Sequence, residues 1–324
     1  MAQKDDGDEG GKAAVIAALI ANLGIAATKF IAAALSGSWA MLAEGFHSRV
    51  DTGNQGFMLL GMKRAKKEPD AQHPFGYGSE IYFWAFIVAV LLFSLGAGLS
   101  VYEGIHAILS GEEQESGVPW IPFAVLAIAF GFEGYSLLTA VREFNKVRKG
   151  RGVLRDLRDL KDPSIFVVLA EDSAACTGLI FAFLGVLLSW LTGNSVWDGA
   201  ASILIGGLLG GVAVLLATEV KHLLIGEAAD PDIVKAVQSH VEDIPEVEAV
   251  NELRTLHLGP REVLLTVSMD FADDVVSQRI EEIVTRLEER IREEFEIIHH
   301  VYLEVQSKGG HRKLADDPMD AAAV

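Results

Sequence analysis

The chain has one cysteine, Cys176, among 324 residues. No intrachain disulfide is possible, and no cluster of thiolates can hold a metal. Basic charge is also scarce. There are 27 Lys and Arg against 45 Asp and Glu, for a formal net charge of −18. Such a balance argues against nucleic acid as a partner. It suits solvation in a salty medium or a loose attraction of cations. The pattern G-x-x-x-x-G-K-S/T is missing, so drive by ATP is not expected. H-E-x-x-H is missing too, and no apolar stretch offers more than one His. That removes the usual basis for an intramembrane metallo-enzyme. No amphipathic Arg/Ser-rich leader precedes the first apolar run, so the expected location is a prokaryotic plasma (inner) membrane rather than a mitochondrion.

What the chain has in abundance is apolar length. Half of its residues are hydrophobic, and the mean hydropathy is positive. Six runs reach the ~20 residues needed to cross ~30 Å of hydrocarbon. They are Ala13–Leu35, Ser38–Met62, Ile81–Ile108, Val118–Val141, Ser164–Leu191 and Val196–Leu224. An integral membrane protein in a lipid bilayer is therefore expected, with six transmembrane helices over residues 13–225. The connections after the second and fourth runs are rich in Lys and Arg, from Lys63 to Lys67 and from Arg142 to Lys161. The opposite connections hold none. Positive charge stays on the cytoplasmic side, so both termini are expected there.

After Gly226 the chain turns polar and amphipathic. Pro231–Ile244 reads as a helix with Asp230 as its N-cap. Val247–His257 and Glu262–Phe271 read as strands around a Leu258-Gly259-Pro260-Arg261 turn. Asp274–Phe295 has apolar residues at helical spacing, and Glu296–Val305 reads as a last strand. The order α-β-β-α-β predicts a small cytoplasmic α+β domain, ferredoxin-like, over residues 226–306. Residues 1–12 and 307–324 read as disordered tails.

Inside the apolar runs lie groups that do not belong in hydrocarbon. His47 and Asp51 are four residues apart in the second run, with Glu44 a turn earlier. Glu171 and Asp172 lie in the fifth run, Lys29 in the first and Glu133 in the fourth. Residues three or four apart share a helix face. Ionisable groups at membrane depth are costly and mark ion or substrate pathways. One imidazole nitrogen and several carboxylate oxygens from two facing helices are ligands for a divalent transition metal. Glu44, Lys29 and Glu133 read instead as pairing or packing groups.

At these residues the chain resembles the cation diffusion facilitator family of divalent-metal transporters. The resemblance covers residues 13–305. It is carried by Ala43-Glu44-Gly45-Phe46-His47-Ser48-Arg49-Val50-Asp51, by His73-Pro74-Phe75-Gly76-Tyr77-Gly78, and by the six-helix plan with its α+β tail. Asp162-Pro163 and Glu171-Asp172-Ser173-Ala174-Ala175 are similar to the mitochondrial zinc transporter nine subgroup. The resemblance implies a homodimer that exports a metal ion, Zn²⁺ first, from the cytoplasm in exchange for protons. It implies a four-ligand site with His47 and Asp51 from the second helix and Asp172 from the fifth. Val168 stands where the family has a His, and Glu171 is the first candidate to fill that corner, with water or Glu44 as the alternatives. A carboxylate-richer site also admits Mn²⁺, Fe²⁺ or Co²⁺. A metal sensor without flux is the competing class. Asp70 and His73 resemble part of a minor family site that Tyr77 leaves incomplete. In the tail, Asn251 and Val301 stand where the family has ligands, leaving His257, His299 and His300 as remnants.

Overall fold

The computed structural model describes residues 3–36, 39–110, 120–148, 150–152, 156–157 and 160–315, and leaves out the side chains of 3–9, 36, 39–47, 50 and 314–315. These residues form two compact units. One is Met1–Glu68 with Ser79–Lys221, the other Pro69–Gly78 with His222–Val324.

The first unit is built from six long helices among the described residues. They are α1 (Gln3–Ser36), α2 (Trp39–Ala65), α3 (Glu80–Ser110), α4 (Trp120–Val147), α5 (Pro163–Thr192) and α6 (Val196–Ile225). Five stretches are long and apolar enough to cross a membrane: Gly10–Leu35 of α1, and α3 to α6. The second helix has the length, 27 residues, but is more polar. Its centre carries Asp51, Thr52, Asn54 and Gln55.

Packing gathers α1, α2, α4 and α5. Contacts run between α1 and α2, α1 and α4, α1 and α5, and α4 and α5, while α3 adjoins α2 and α5. Small residues let α3 meet α6. A Cβ on Gly104 would lie 2.6 Å from the Gly199 carbonyl oxygen, so only glycine permits this approach. Within α3, residues Leu92–Ala97 form a π-helical turn.

The start of α5 is set by chemistry legible in its residues. Asp162 is extended and its carboxylate accepts from the Ser164 backbone N–H at 2.9 Å, with Pro163 at the first helical position. Gly193 ends the helix in the left-handed region at φ 66°. These caps fix the register that carries Glu171 and Asp172 inward.

The N-terminal stretch differs from expectation. Helix α1 begins at Gln3, through residues read as a disordered tail. A Cβ at Gly10 would meet the Glu143 carboxylate and one at Gly11 the Ser164 hydroxyl, so the glycines lie against α4 and α5.

The second unit contains α7 (Pro231–Glu242), β1 (Val247–Gly259), β2 (Glu262–Phe271), α8 (Ser277–Glu294) and β3 (Ile298–Val305), then α9 (Lys308–Ala315). The α-β-β-α-β order is as expected. The helix α9 is an addition, lying in residues read as a disordered tail, and residues 316–324 lie outside the described residues. Sheet order is β1-β2-β3, with β1 antiparallel and β3 parallel to β2. Alternate residues of β2, namely Val263, Leu265, Val267, Met269 and Phe271, pack on Val237, Val241, Ile283, Leu287 and Ile291.

The segment Pro69–Gly78 joins α2 to α3 in sequence but packs with this second unit. The Phe75 ring meets His300 edge-on at 5.2 Å and Tyr302 at 6.5 Å, on the sheet face opposite the helices.

Candidate metal centre

The acids of α5 are buried and point at two different neighbours. Glu171 faces α2. Its Oε2 accepts from Gln55 Nε2 at 2.9 Å, and its Oε1 from Asn54 Nδ2 at 3.4 Å. Asp172 faces α4, where the Ser136 hydroxyl donates to its Oδ2 at 2.5 Å. Consecutive helical residues point about 100° apart, so one helix turn addresses two partners.

Asp51 and Glu133 complete the group. Asp51 lies within electrostatic reach of Glu171, and Glu133 of Asp172, Glu171 and Asp51. Lys29 of α1 is a cation within reach of Glu133. Four carboxylates from α2, α4 and α5 thus share one region of the bundle. Like charges repel strongly where the dielectric is low. Ionisable groups held at such a depth mark candidate ion or proton pathways.

Of the residues singled out from the sequence, Asp51 and Asp172 each lie within electrostatic reach of Glu171. The backbone of His47 lies in α2, and its side chain, with that of Glu44, lies outside the described residues. Among the described residues, no three His, Cys, Asp or Glu side chains stand together in a geometry that holds an ion. Val168 is fully buried, one turn before Asp172, and presents no donor. Three polar side chains escape a reading based on charge: Asn54, Gln55 and Ser136. Their signal was spacing. Asn54 and Gln55 follow Asp51 by three and four residues, and Ser136 follows Glu133 by three.

The remaining candidates have local employment. Asp70 accepts from the backbone N–H groups of Gln72 and His73 and from the Tyr77 hydroxyl at 2.7 Å. Tyr77 thus caps Asp70 where the family pattern has a further ligand. Asn251 Nδ2 donates to the Gln306 carbonyl at 2.7 Å. His300 pairs with Glu262 at 3.1 Å, while His299, its neighbour on β3, is exposed. The His257 ring is buried, with Nδ1 3.2 Å from the Gly259 carbonyl oxygen.

Residues 15–225 match the cation efflux transmembrane domain, and residues 229–307 match the cation efflux protein cytoplasmic domain. The chain belongs to the cation efflux family. Human "Proton-coupled zinc antiporter SLC30A9, mitochondrial" is 34% identical over 252 residues, covering 77% of this chain and 44% of that protein. "Metal tolerance protein C4" of Arabidopsis thaliana is 31% identical over 277 residues, 84% of this chain and 59% of that one. "Manganese efflux system protein MneP" of Bacillus subtilis is 24% identical over 300 residues, 91% of this chain and 95% of that one. The chain spans about half the length of the first two relatives. Members of the cation efflux family are transporters, not enzymes. The cation efflux match makes this an integral membrane protein. The expectation of a prokaryotic plasma membrane gains no support from relatives of which the first is named mitochondrial.

Proposed function

We infer that the chain exports a divalent transition-metal ion, zinc first, from the cytoplasm in exchange for protons. The ion sits between α2 and α5 on His47, Asp51, Glu171 and Asp172. The observation that carries this reading is the pair of buried acids on α5, one joined to α2 through Asn54 and Gln55 and the other to Ser136 of α4. Fixed carboxylates at membrane depth, drawn from separate helices, can be brought together or parted by helix movement.

Proton exchange follows from ligand chemistry. Metal binding needs ionised carboxylates and neutral imidazole. Loading the ion releases protons, and protons arriving from the far side displace the ion. The name of the human relative, a proton-coupled zinc antiporter, supports the same coupling here. Both termini lie in the cytoplasm, on the side of the Lys- and Arg-rich connections. The chain works as a homodimer, with the 226–306 unit adding a soluble interface to the 13–225 helical unit.

Manganese is the second reading, and one observation favours it. The corner that Val168 leaves empty of donors has an acid beside it rather than a second imidazole. Oxygen-richer sets suit Mn²⁺ better than a two-histidine set would. The match to a manganese efflux protein over most of the chain agrees.

Purified protein in sealed liposomes tests the reading. With an imposed pH gradient, Zn²⁺ should move against the proton flow, and collapse of the gradient should slow it. Zinc bound at high affinity with no flux in either condition would identify a sensor instead.

A further inference from the structure

Asn54 and Gln55 are 2% and 0% exposed. Each spends the N–H end of its amide on the Glu171 carboxylate. The carbonyl ends, Asn54 Oδ1 and Gln55 Oε1, are buried as well and accept no hydrogen bond from any described residue. A buried amide oxygen normally has a donor or a cation against it, because leaving it bare is costly. Two such oxygens, on consecutive residues beside a group of carboxylates, mark a place suited to a positive centre.

Helical phase separates their roles. At ~100° per residue, Asn54 returns to within about 20° of His47 and Gln55 turns about 80° from it. Asn54 therefore stands on the stripe of His47, while Gln55 lies about 40° from Asp51. Gln55 makes the shorter contact to Glu171, 2.9 Å against 3.4 Å. It acts as a positioning residue that holds the acid.

We propose that Asn54 Oδ1 is an additional oxygen ligand for the transported ion and widens the site beyond four-coordinate zinc. The proposal rests on the ion site inferred above. An imidazole, three carboxylates and an amide oxygen exceed the tetrahedral set that zinc prefers. Manganese takes more ligands and favours oxygen. A cation on Oδ1 also polarises the amide and strengthens its N–H toward Glu171. The ion and the acid are then linked through one side chain, and α2 selects among metals by a neutral residue.

The test compares Mn²⁺ and Zn²⁺ affinities of the full-length protein, purified in detergent, by calorimetry. Asn54→Leu should weaken Mn²⁺ about tenfold or more, the scale of supporting interactions at metal sites. Zinc affinity should fall less than Mn²⁺ affinity, since for zinc the change removes only the amide contact to Glu171. Asn54→Asp, which keeps an oxygen at that point, should hold the Mn²⁺-to-Zn²⁺ ratio at or above the native one. Equal losses for both ions in Asn54→Leu would reduce Asn54 to a support for Glu171 and overturn the assignment, as would an unchanged ratio. If Asn54→Leu does not fold, Asn54→Asp decides, since a fall in its ratio is incompatible with ligation. A native protein that binds neither ion sinks the site itself. Native binding of both with an unmoved ratio in the variants sinks only Asn54.

Discussion

Asp51→Ala and Asp172→Ala each abolish metal transport and leave a folded protein in the membrane. Each removes a carboxylate oxygen from the ion itself. Supporting groups around metal sites shift affinity ~10–100-fold, so a direct ligand should cost at least that much. The fold should survive because the loss is local. Asp172→Ala deprives the Ser136 hydroxyl of its acceptor, and at the same time it removes one of the four acids gathered in that part of the bundle. Flux assays on liposomes, with size-exclusion profiles as the check on folding, measure the effect. Near-native flux in either variant would move the site away from α2 and α5.

Glu171→Gln has the second large effect, a fall in metal affinity of ~10–100-fold or more. Two causes add. The change removes a negative charge and most of the donor strength of an oxygen. It also sets an amide N–H against the donors Asn54 and Gln55, which meet a carboxylate in the native protein. One of those contacts then becomes donor against donor. The double change Val168→His with Glu171→Gln should recover binding and sharpen the preference for zinc, since imidazole suits zinc better than manganese. Val168 is fully buried, so the new ring must displace packing, and folding is checked alongside. Wild-type affinity in Glu171→Gln would leave the acid as a helix-packing group.

The helices were legible because their signals are strong and local. Apolar length marks α1 and α3 to α6. The order of elements in the second unit follows from alternation in β2 and the helical spacing of Ile283, Leu287 and Ile291. Boundaries moved by a few residues, as with α8, which starts at Ser277 rather than Asp274. What the sequence hid was long-range. Glu171 was visible as an intramembrane acid, but its partners Asn54 and Gln55 lie 117 and 116 residues away and carry no charge. Ser136 was hidden for the same reason. Gly10 and Gly11 lie against Glu143 of α4 and Ser164 of α5, a contact no local pattern encodes. The packing of Phe75 on His300 and Tyr302 likewise needs the folded sheet before it has a meaning.

The central claim is that one ion binds between the second and fifth long helices. Anomalous diffraction from crystals of the full-length protein grown with Zn²⁺ tests it most directly. A single strong peak should appear beside Asp51, Glu171 and Asp172, with a His47 nitrogen and carboxylate oxygens at ~2.0–2.2 Å. Peaks confined to the 226–306 unit or to the Asp70–His73 turn, with none between the helices, would contradict it.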